Sequence, residues 1–103
     1  MHADIEIEPL DEVTAARVAE LFGALSDPSR LRIIAALTGG ERNVQALAEI
    51  AGVSPSAISH QLRGLRHMRL VRARKSGRQV FYALDDEHVA DLFRQGLSHI
   101  RHS

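Results

Sequence analysis

Two short amphipathic segments meet at a glycine near the middle of the chain, and this junction constrains the fold more than any other feature. Asn43 is a good helix-capping residue, and apolar residues at helical spacing follow it as far as Gly52. Ser54 begins the second segment in the same way, with Pro55 at the first helical position. Two helices that meet at a tight, glycine-containing turn are typical of a helix-turn-helix.

A basic hairpin is expected directly after this unit. Val71 and Ala73 alternate with arginines, a turn follows at Gly77, and a second alternating run ends at Leu84. A helix-turn-helix followed by a hairpin predicts a winged helix. We therefore expect a mostly α-helical fold with a small β-hairpin.

Helical periodicity also flanks this unit. An apolar stripe predicts a first helix from Leu10, Pro28 begins a second helix that Gly39 ends, and a last helix is expected from about Glu87 to His102. The length of 103 residues suits one domain. We expect residues 1–9 to be a mobile lead and residues 10–103 to be a single winged helix-turn-helix domain for DNA binding and dimerisation.

The composition excludes several classes of protein. The absence of cysteine excludes disulfide scaffolds, thiolate metal sites and thiol redox sensing. No apolar run approaches the roughly 18 residues of a membrane helix, and the N-terminus lacks the pattern of a signal peptide. We expect a cytoplasmic protein without membrane contact.

Charge is balanced overall and unevenly distributed. The chain has 13 Lys and Arg residues together and 13 Asp and Glu residues together. Residues 50–84, however, contain seven basic residues and no acid. A solvated surface would explain such a run. Because the run coincides with the predicted helix-turn-helix and hairpin, it favours a surface that attracts polyanions.

The outward face of the second helix of the pair is the candidate DNA-reading surface. Its side chains are of types that contact phosphates and base edges, and Arg and Gln are common readers of guanine and adenine. The hairpin tip would reach the flanking backbone or minor groove. The candidate DNA contacts are Ser54, Ser56, Ser59, His60, Gln61, Arg63, Arg74, Lys75 and Arg78.

Six histidines are unusual in so short a chain, and three of them accompany an aspartate on the last helix. His99 and His102 are three residues apart and lie on one face, whereas Asp86 and His88 converge only if Asp86 precedes the helix as its cap. His88 and His99 are separated by about 16 Å along a helix. Bonds to zinc are about 2 Å long, so one straight helix cannot bring both ends to one ion.

Two antiparallel copies of the helix remove this difficulty. The Asp86 and His88 end of one chain would meet the His99 and His102 end of the other, which gives two equivalent sites in a homodimer. Three nitrogens and one carboxylate oxygen suit tetrahedral Zn²⁺. The alternative is that these are surface histidines near a helix C-terminus.

The chain resembles the ArsR/SmtB family of winged-helix metal-sensing repressors over about residues 10–102. The resemblance rests on residues 25–33, on residues 54–65 and on residues 77–84. The last helix matches the family's sensor pattern of Asp-x-His, ten residues and His-x-x-His.

The resemblance implies a homodimer formed through the first and last helices. Its metal-free form would bind operator DNA, and metal binding would release the protein from the DNA. Thiolate sensing of arsenic, cadmium or lead is not expected, because Asn43 to Ala46 stand where such members carry cysteines. Zn²⁺ is the expected effector. Ni²⁺ or Co²⁺ is the alternative, since similar sensors add N-terminal ligands, a role open to His2 here.

Two other classes of function remain. One is a winged-helix repressor or interaction module without a metal response, which would bind no tight metal at the four positions. The other is a small metal-dependent hydrolase. Four protein ligands leave no open position for a catalytic water, which speaks against an enzyme.

Overall fold

The computed structural model of the protein describes residues 8–102. Five helices and three short strands follow one another within these residues. Their bounds, in chain order, are α1 Glu12–Ala24, α2 Pro28–Leu37, β1 Arg42–Asn43, α3 Val44–Ala51, α4 Pro55–His67, β2 Val71–Ser76, β3 Gln79–Leu84 and α5 Glu87–Arg101. The predicted winged helix-turn-helix is confirmed, with α3 and α4 as the helix pair and β2 and β3 as the hairpin, here called the wing.

The predicted two-stranded hairpin is part of a three-stranded antiparallel sheet with the order β1-β3-β2. The wing pairs from Val71 opposite Leu84 to Ser76 opposite Gln79. The sequence did not indicate β1, because a strand of two residues is too short to show an alternating pattern.

Side-chain caps set the helix starts. Asp11 accepts a hydrogen bond of 2.7 Å from the backbone N–H of Thr14, which lowers the pKa of the Asp11 carboxyl. Helix α1 therefore begins at Glu12, two residues after the predicted start at Leu10, and Asp11 is its cap and not part of its first turn. Asp27 caps α2 in the same way through the N–H of Arg30.

One hydrophobic core joins α2, α3, α4 and the start of β2. The inward face of α4 lies at its centre, since Ile58 and Leu62 are fully buried. Val89 joins the core from the first turn of α5. The largest side chains with almost no exposed surface are Ile33, Ile34, Leu47, Ile58, Leu62, Leu65 and Val71.

Helix α1 contributes little to this core. Residues 11–20 are all exposed, and Ala24 is the one buried residue of the helix. Of the predicted apolar stripe, Leu21 and Leu25 pack against the core, whereas Val18 and Phe22 are exposed. Within residues 8–102, no helix combines the length and the apolar character needed to cross a lipid bilayer.

Arg69 adopts a left-handed backbone conformation, with φ of 62°, just after α4. We expect Arg69→Gly to raise the free energy of unfolding by about 0.5–1 kcal/mol, because glycine adopts this conformation without steric cost. Urea unfolding at fixed protein concentration measures the change. Arg63→Gly, in the interior of α4, is the matched control and should destabilise by about 1 kcal/mol. Equal destabilisation by both variants would contradict the prediction.

Candidate nucleic-acid interface and metal-ligating residues

Local hydrogen bonds fix the geometry of the α3–α4 pair. The Asn43 carboxamide oxygen accepts from the N–H of Ala46 at 2.8 Å, and the Ser54 hydroxyl oxygen accepts from the N–H of Ala57 at 3.1 Å. Between the helices Gly52 adopts a left-handed conformation with φ of 71°, which ends α3 and turns the chain. The sequence signals for caps and turn are thus confirmed individually.

The predicted reading residues of α4 lie opposite the buried face. Ser56, His60 and Arg63 are exposed, and Ser59 is half-buried. Ser54 is exposed as well, although its hydroxyl already caps the helix. The structure therefore presents polar groups of the predicted kinds on one surface of α4.

Gln61 differs from its neighbours. Its side chain is half-buried, and its Oε1 atom is buried without a hydrogen-bond partner. In this conformation the carboxamide oxygen does not face outward, so a contact with adenine requires the side chain to turn. The helical pattern could place Gln61 only at the edge of the reading face, and the structure directs it inward.

The wing ends in a tight turn with Gly77 at φ of 62°. Lys75 and Arg78 flank this turn, both exposed. Within residues 8–102, neither side chain forms an ion pair. The tip therefore carries two positive charges that extend away from the core.

Arg74 lies further back and is held by Glu41. Its Nε and Nη2 atoms donate to the two carboxylate oxygens of Glu41 at 2.8 and 2.7 Å, and its guanidinium carbon lies 4.9 Å from the centre of the Phe81 ring. The hydrogen bond from Arg74 holds the pKa of the Glu41 carboxyl below its ordinary value, and Glu41 raises the pKa of Arg74. Both groups are charged at neutral pH.

This pair gives the basic run a counter-charge, although residues 50–84 themselves contain no acid. Glu41 lies outside residues 50–84 and reaches the run through the sheet. Glu41, two residues before the α3 cap, gave no local sign of this contact, because its partner Arg74 is 33 residues away.

The first candidate metal ligands lie together at the start of α5. Asp86 is the N-cap, as predicted, and its Oδ1 atom accepts from the N–H of His88 at 2.9 Å. The same oxygen lies 3.4 Å from His88 Nδ1. The two side chains are 51% and 90% exposed, respectively, so both can be reached from outside.

The second pair lies at the other end of α5. His99 is in the last turn and His102 is the C-cap, with its Nδ1 atom 3.2 Å from the Ser98 hydroxyl oxygen. Within residues 8–102 of one protomer, no three His, Asp or Glu side chains form a group able to hold a metal ion. His2, the additional ligand expected for Ni²⁺ or Co²⁺, lies outside the described residues.

The donor chemistry of these side chains fits a divalent metal. Asp86 and His88 already place an oxygen and a nitrogen side by side, and His99 and His102 add two exposed imidazoles. Imidazole and carboxylate together suit Zn²⁺, Ni²⁺ and Co²⁺, whereas soft thiophilic ions prefer sulfur ligands, which this chain lacks.

An apolar surface lies between α1, α2 and α5. It includes exposed Phe22 from α1, half-buried Leu31 from α2, and Leu92 and Phe93 from α5. Contiguous apolar side chains that are exposed or half-buried on several elements are typical of a protein–protein interface. Helix α5 therefore contributes both to this apolar surface and to the candidate metal ligands.

Comparison with known proteins gives one consistent result. A family model described as "Bacterial regulatory protein, arsR family" matches residues 27–73. The "Transcriptional repressor SmtB homolog" of a Synechocystis species is 49% identical over 98 residues, which cover 95% of this chain and 73% of the relative.

Two solved structures agree with this relationship. The crystal structure of the AntR antimony-specific transcriptional repressor superposes with a TM-score of 0.85 at 32% identity, over 94% of this chain and 88% of AntR. A homodimeric winged helix-turn-helix DNA-binding domain from Mycobacterium bovis, described as a possible ArsR-family regulator, superposes with a TM-score of 0.77 at 33% identity, over 94% of this chain and 96% of that domain.

The buried oxygen of Gln61 yields a test of stability. We expect Gln61→Leu to leave the free energy of unfolding unchanged or to raise it by up to about 1 kcal/mol, because a buried acceptor without a partner is removed at nearly constant volume. Denaturant unfolding measures the effect. Gln45→Leu, on the exposed side of α3, should change it by less than about 0.5 kcal/mol. A clear loss of stability in Gln61→Leu alone would contradict this account.

Proposed function

The chain belongs to the ArsR family of bacterial regulatory proteins. We propose that it is a metal-responsive transcriptional repressor. Its metal-free homodimer binds operator DNA, and binding of Zn²⁺ releases the protein from the DNA. The observation that carries the proposal is the exposed polar face of α4, held outward by the burial of Ile58 and Leu62 beneath it. The chain is a regulator and not an enzyme.

Helix α4 is the element suited to enter the major groove. In a helix-turn-helix the second helix contacts base edges with residues near its N-terminus. Ser56, Ser59 and His60 occupy this region, and Arg63 lies about one turn further along the same exposed face. The backbone N–H groups at the start of α4 can also contact a phosphate. Arg63 is the strongest candidate for a base contact, since its guanidinium can donate two hydrogen bonds to one guanine.

A second copy of the chain is the proposed occupant of the apolar surface between α1, α2 and α5. The structural relative from Mycobacterium bovis is described as homodimeric, and the exposed side chains on α1 need a partner to leave water. A homodimer presents two α4 helices, so its operator would contain two half-sites related by a twofold axis.

The candidate ligands fit this dimer if the two α5 helices run antiparallel. Asp86 and His88 of each protomer then face His99 and His102 of the other. A bound Zn²⁺ ion would supply directed bonds that join the two helices. The Asp86 carboxylate and neutral imidazoles are the donors, so protonation of the histidines opposes binding.

Coupling between the two sites follows from linkage. If metal-bound protein holds its α4 helices at a spacing that the operator does not match, its affinity for DNA is lower, and DNA weakens metal binding by the same factor. A factor of about 100 corresponds to about 3 kcal/mol of coupling. Ni²⁺ or Co²⁺ acting through the same ligands and His2 is the alternative choice of metal.

The reading role of Arg63 is tested with a duplex that the wild-type protein selects from a random pool. We expect Arg63→Ala to weaken binding to this duplex by about 1–3 kcal/mol, because a base contact is removed. Arg94→Ala is the matched control, because Arg94 lies on α5 and pairs with Glu87 and Asp91. Equal affinity of both variants would count against α4 as the reading helix, provided that sedimentation shows both to be dimers.

The metal response is tested by titrating the same duplex with and without Zn²⁺, Ni²⁺ or Co²⁺. We expect Zn²⁺ to weaken wild-type binding by about 100-fold, and this response to become smaller as the pH is lowered, because protons compete with the metal for the imidazole nitrogens. His99→Ala should abolish the response while keeping metal-free DNA affinity, whereas His67→Ala, at the end of α4, should retain it. Unchanged affinity with every metal would leave a repressor without a metal response.

A further inference from the structure

The segment just before α3 holds the wing against the body of the protein. In β1, Arg42 pairs with Tyr82 and Asn43 with Phe81, both on β3. The Asn43 Nδ2 atom also donates to Gln79 Oε1 at 3.4 Å. Glu41, directly before β1, extends this attachment to the outer strand β2 through Arg74.

The contacts of Arg74 occupy both an edge and a face of its guanidinium. Two nitrogens donate to Glu41, and Phe81, directly opposite Arg74 in the sheet register, lies against the planar group. Two parallel hydrogen bonds between a guanidinium and a carboxylate fix the geometry of both partners. Glu41, Arg74 and Phe81 thus form a clamp between the residue that precedes β1 and the wing.

The charge of Glu41 is unexpected at this place. An acid beside a basic hairpin repels phosphate and reduces the positive charge that attracts DNA. If Arg74 were a phosphate contact, Glu41 would compete with the DNA for it. The geometry therefore gives Glu41 a different use, which is to orient the strand that leads to the tip.

We propose that Glu41 and Arg74 are wing-positioning residues: their clamp sets the direction of the wing, so that Lys75 and Arg78 make its phosphate contacts and Arg74 makes none. This inference rests on the proposed DNA-binding function. It reassigns Arg74 from the predicted DNA contacts and adds Glu41, an acid, to the residues on which DNA affinity depends.

The salt dependence of binding separates positioning from contact. The logarithm of the binding constant falls with the logarithm of salt concentration, and the slope becomes shallower by about 0.9 for each phosphate that the protein no longer neutralises. We expect Lys75→Gln and Arg78→Gln to reduce this slope. The charge-balanced double variant Glu41→Gln/Arg74→Gln should keep the wild-type slope and yet bind the selected duplex about tenfold more weakly.

For the single variant Glu41→Gln, the clamp predicts the direction of the change in DNA affinity. Removal of an acid near DNA normally strengthens binding, and Glu49→Gln on α3 is the control for that general effect. The clamp predicts weaker binding for Glu41→Gln than for Glu49→Gln. In the free protein, nuclear magnetic relaxation of wing amides should show larger motion in Glu41→Gln, with an unchanged melting temperature of the core.

Three results would overturn the clamp. These are tighter binding by Glu41→Gln, wild-type affinity of the double variant, and a reduced salt slope in the double variant. Failure of the wild-type protein to select any duplex would instead overturn the proposed function, and the relaxation measurement would still decide whether Glu41 restrains the wing.

Discussion

Burial of one face of α4 is the constraint on which the candidate DNA-reading surface depends. Ile58, Leu62 and Leu65 lie in the core and are at most 1% exposed. Successive residues of a helix are separated by about 100° of rotation, so a turn of the helix by one position would withdraw these side chains and bury Arg63 in their place. Core packing therefore determines which side chains face outward.

Local signals explain why so much of the fold could be predicted from sequence. The caps Asn43, Ser54 and Asp86 each bond to a backbone N–H within three residues, and Gly52 turns the chain by its own conformation. Interactions of this kind can be predicted from sequence because both partners are close together in the chain. The predicted helix pair, hairpin and last helix follow from them and from hydrophobic periodicity.

Contacts between distant residues explain what could not be predicted. The partners Glu41 and Arg74, and likewise Asn43 and Gln79, are more than thirty residues apart. Nothing near Glu41 indicates that β1 joins the sheet. The direction of the Gln61 side chain has a similar origin, because a residue at the edge of a helical stripe turns inward or outward according to its neighbours in space.

The candidate metal ligands were accessible to sequence reasoning for a geometric reason. The rise of a helix is constant, so the separation of His88 and His99 is set by their number of residues alone. The spacing of the histidines does not indicate how the start of α5 is bonded to the wing. The Arg72 Nη1 atom donates to the backbone oxygen of Asp85 at 3.1 Å, which ties β2 to the residue directly before the α5 cap.

Two arginine side chains of β2 thus bond the wing to other parts of the domain. Arg72 bonds the backbone oxygen of Asp85, directly before the α5 cap, and Arg74 bonds Glu41, directly before β1. Two side chains of one strand, two positions apart, therefore bond the segment before α5, which carries the candidate ligands, and the segment before α3 and α4, which carry the candidate reading face. Coupling between distant sites requires an element whose arrangement both sites can bias. Strand β2 has contacts of the kind that such an element needs, because Arg72 bonds the residue directly before the α5 cap and Arg74 bonds the residue directly before β1.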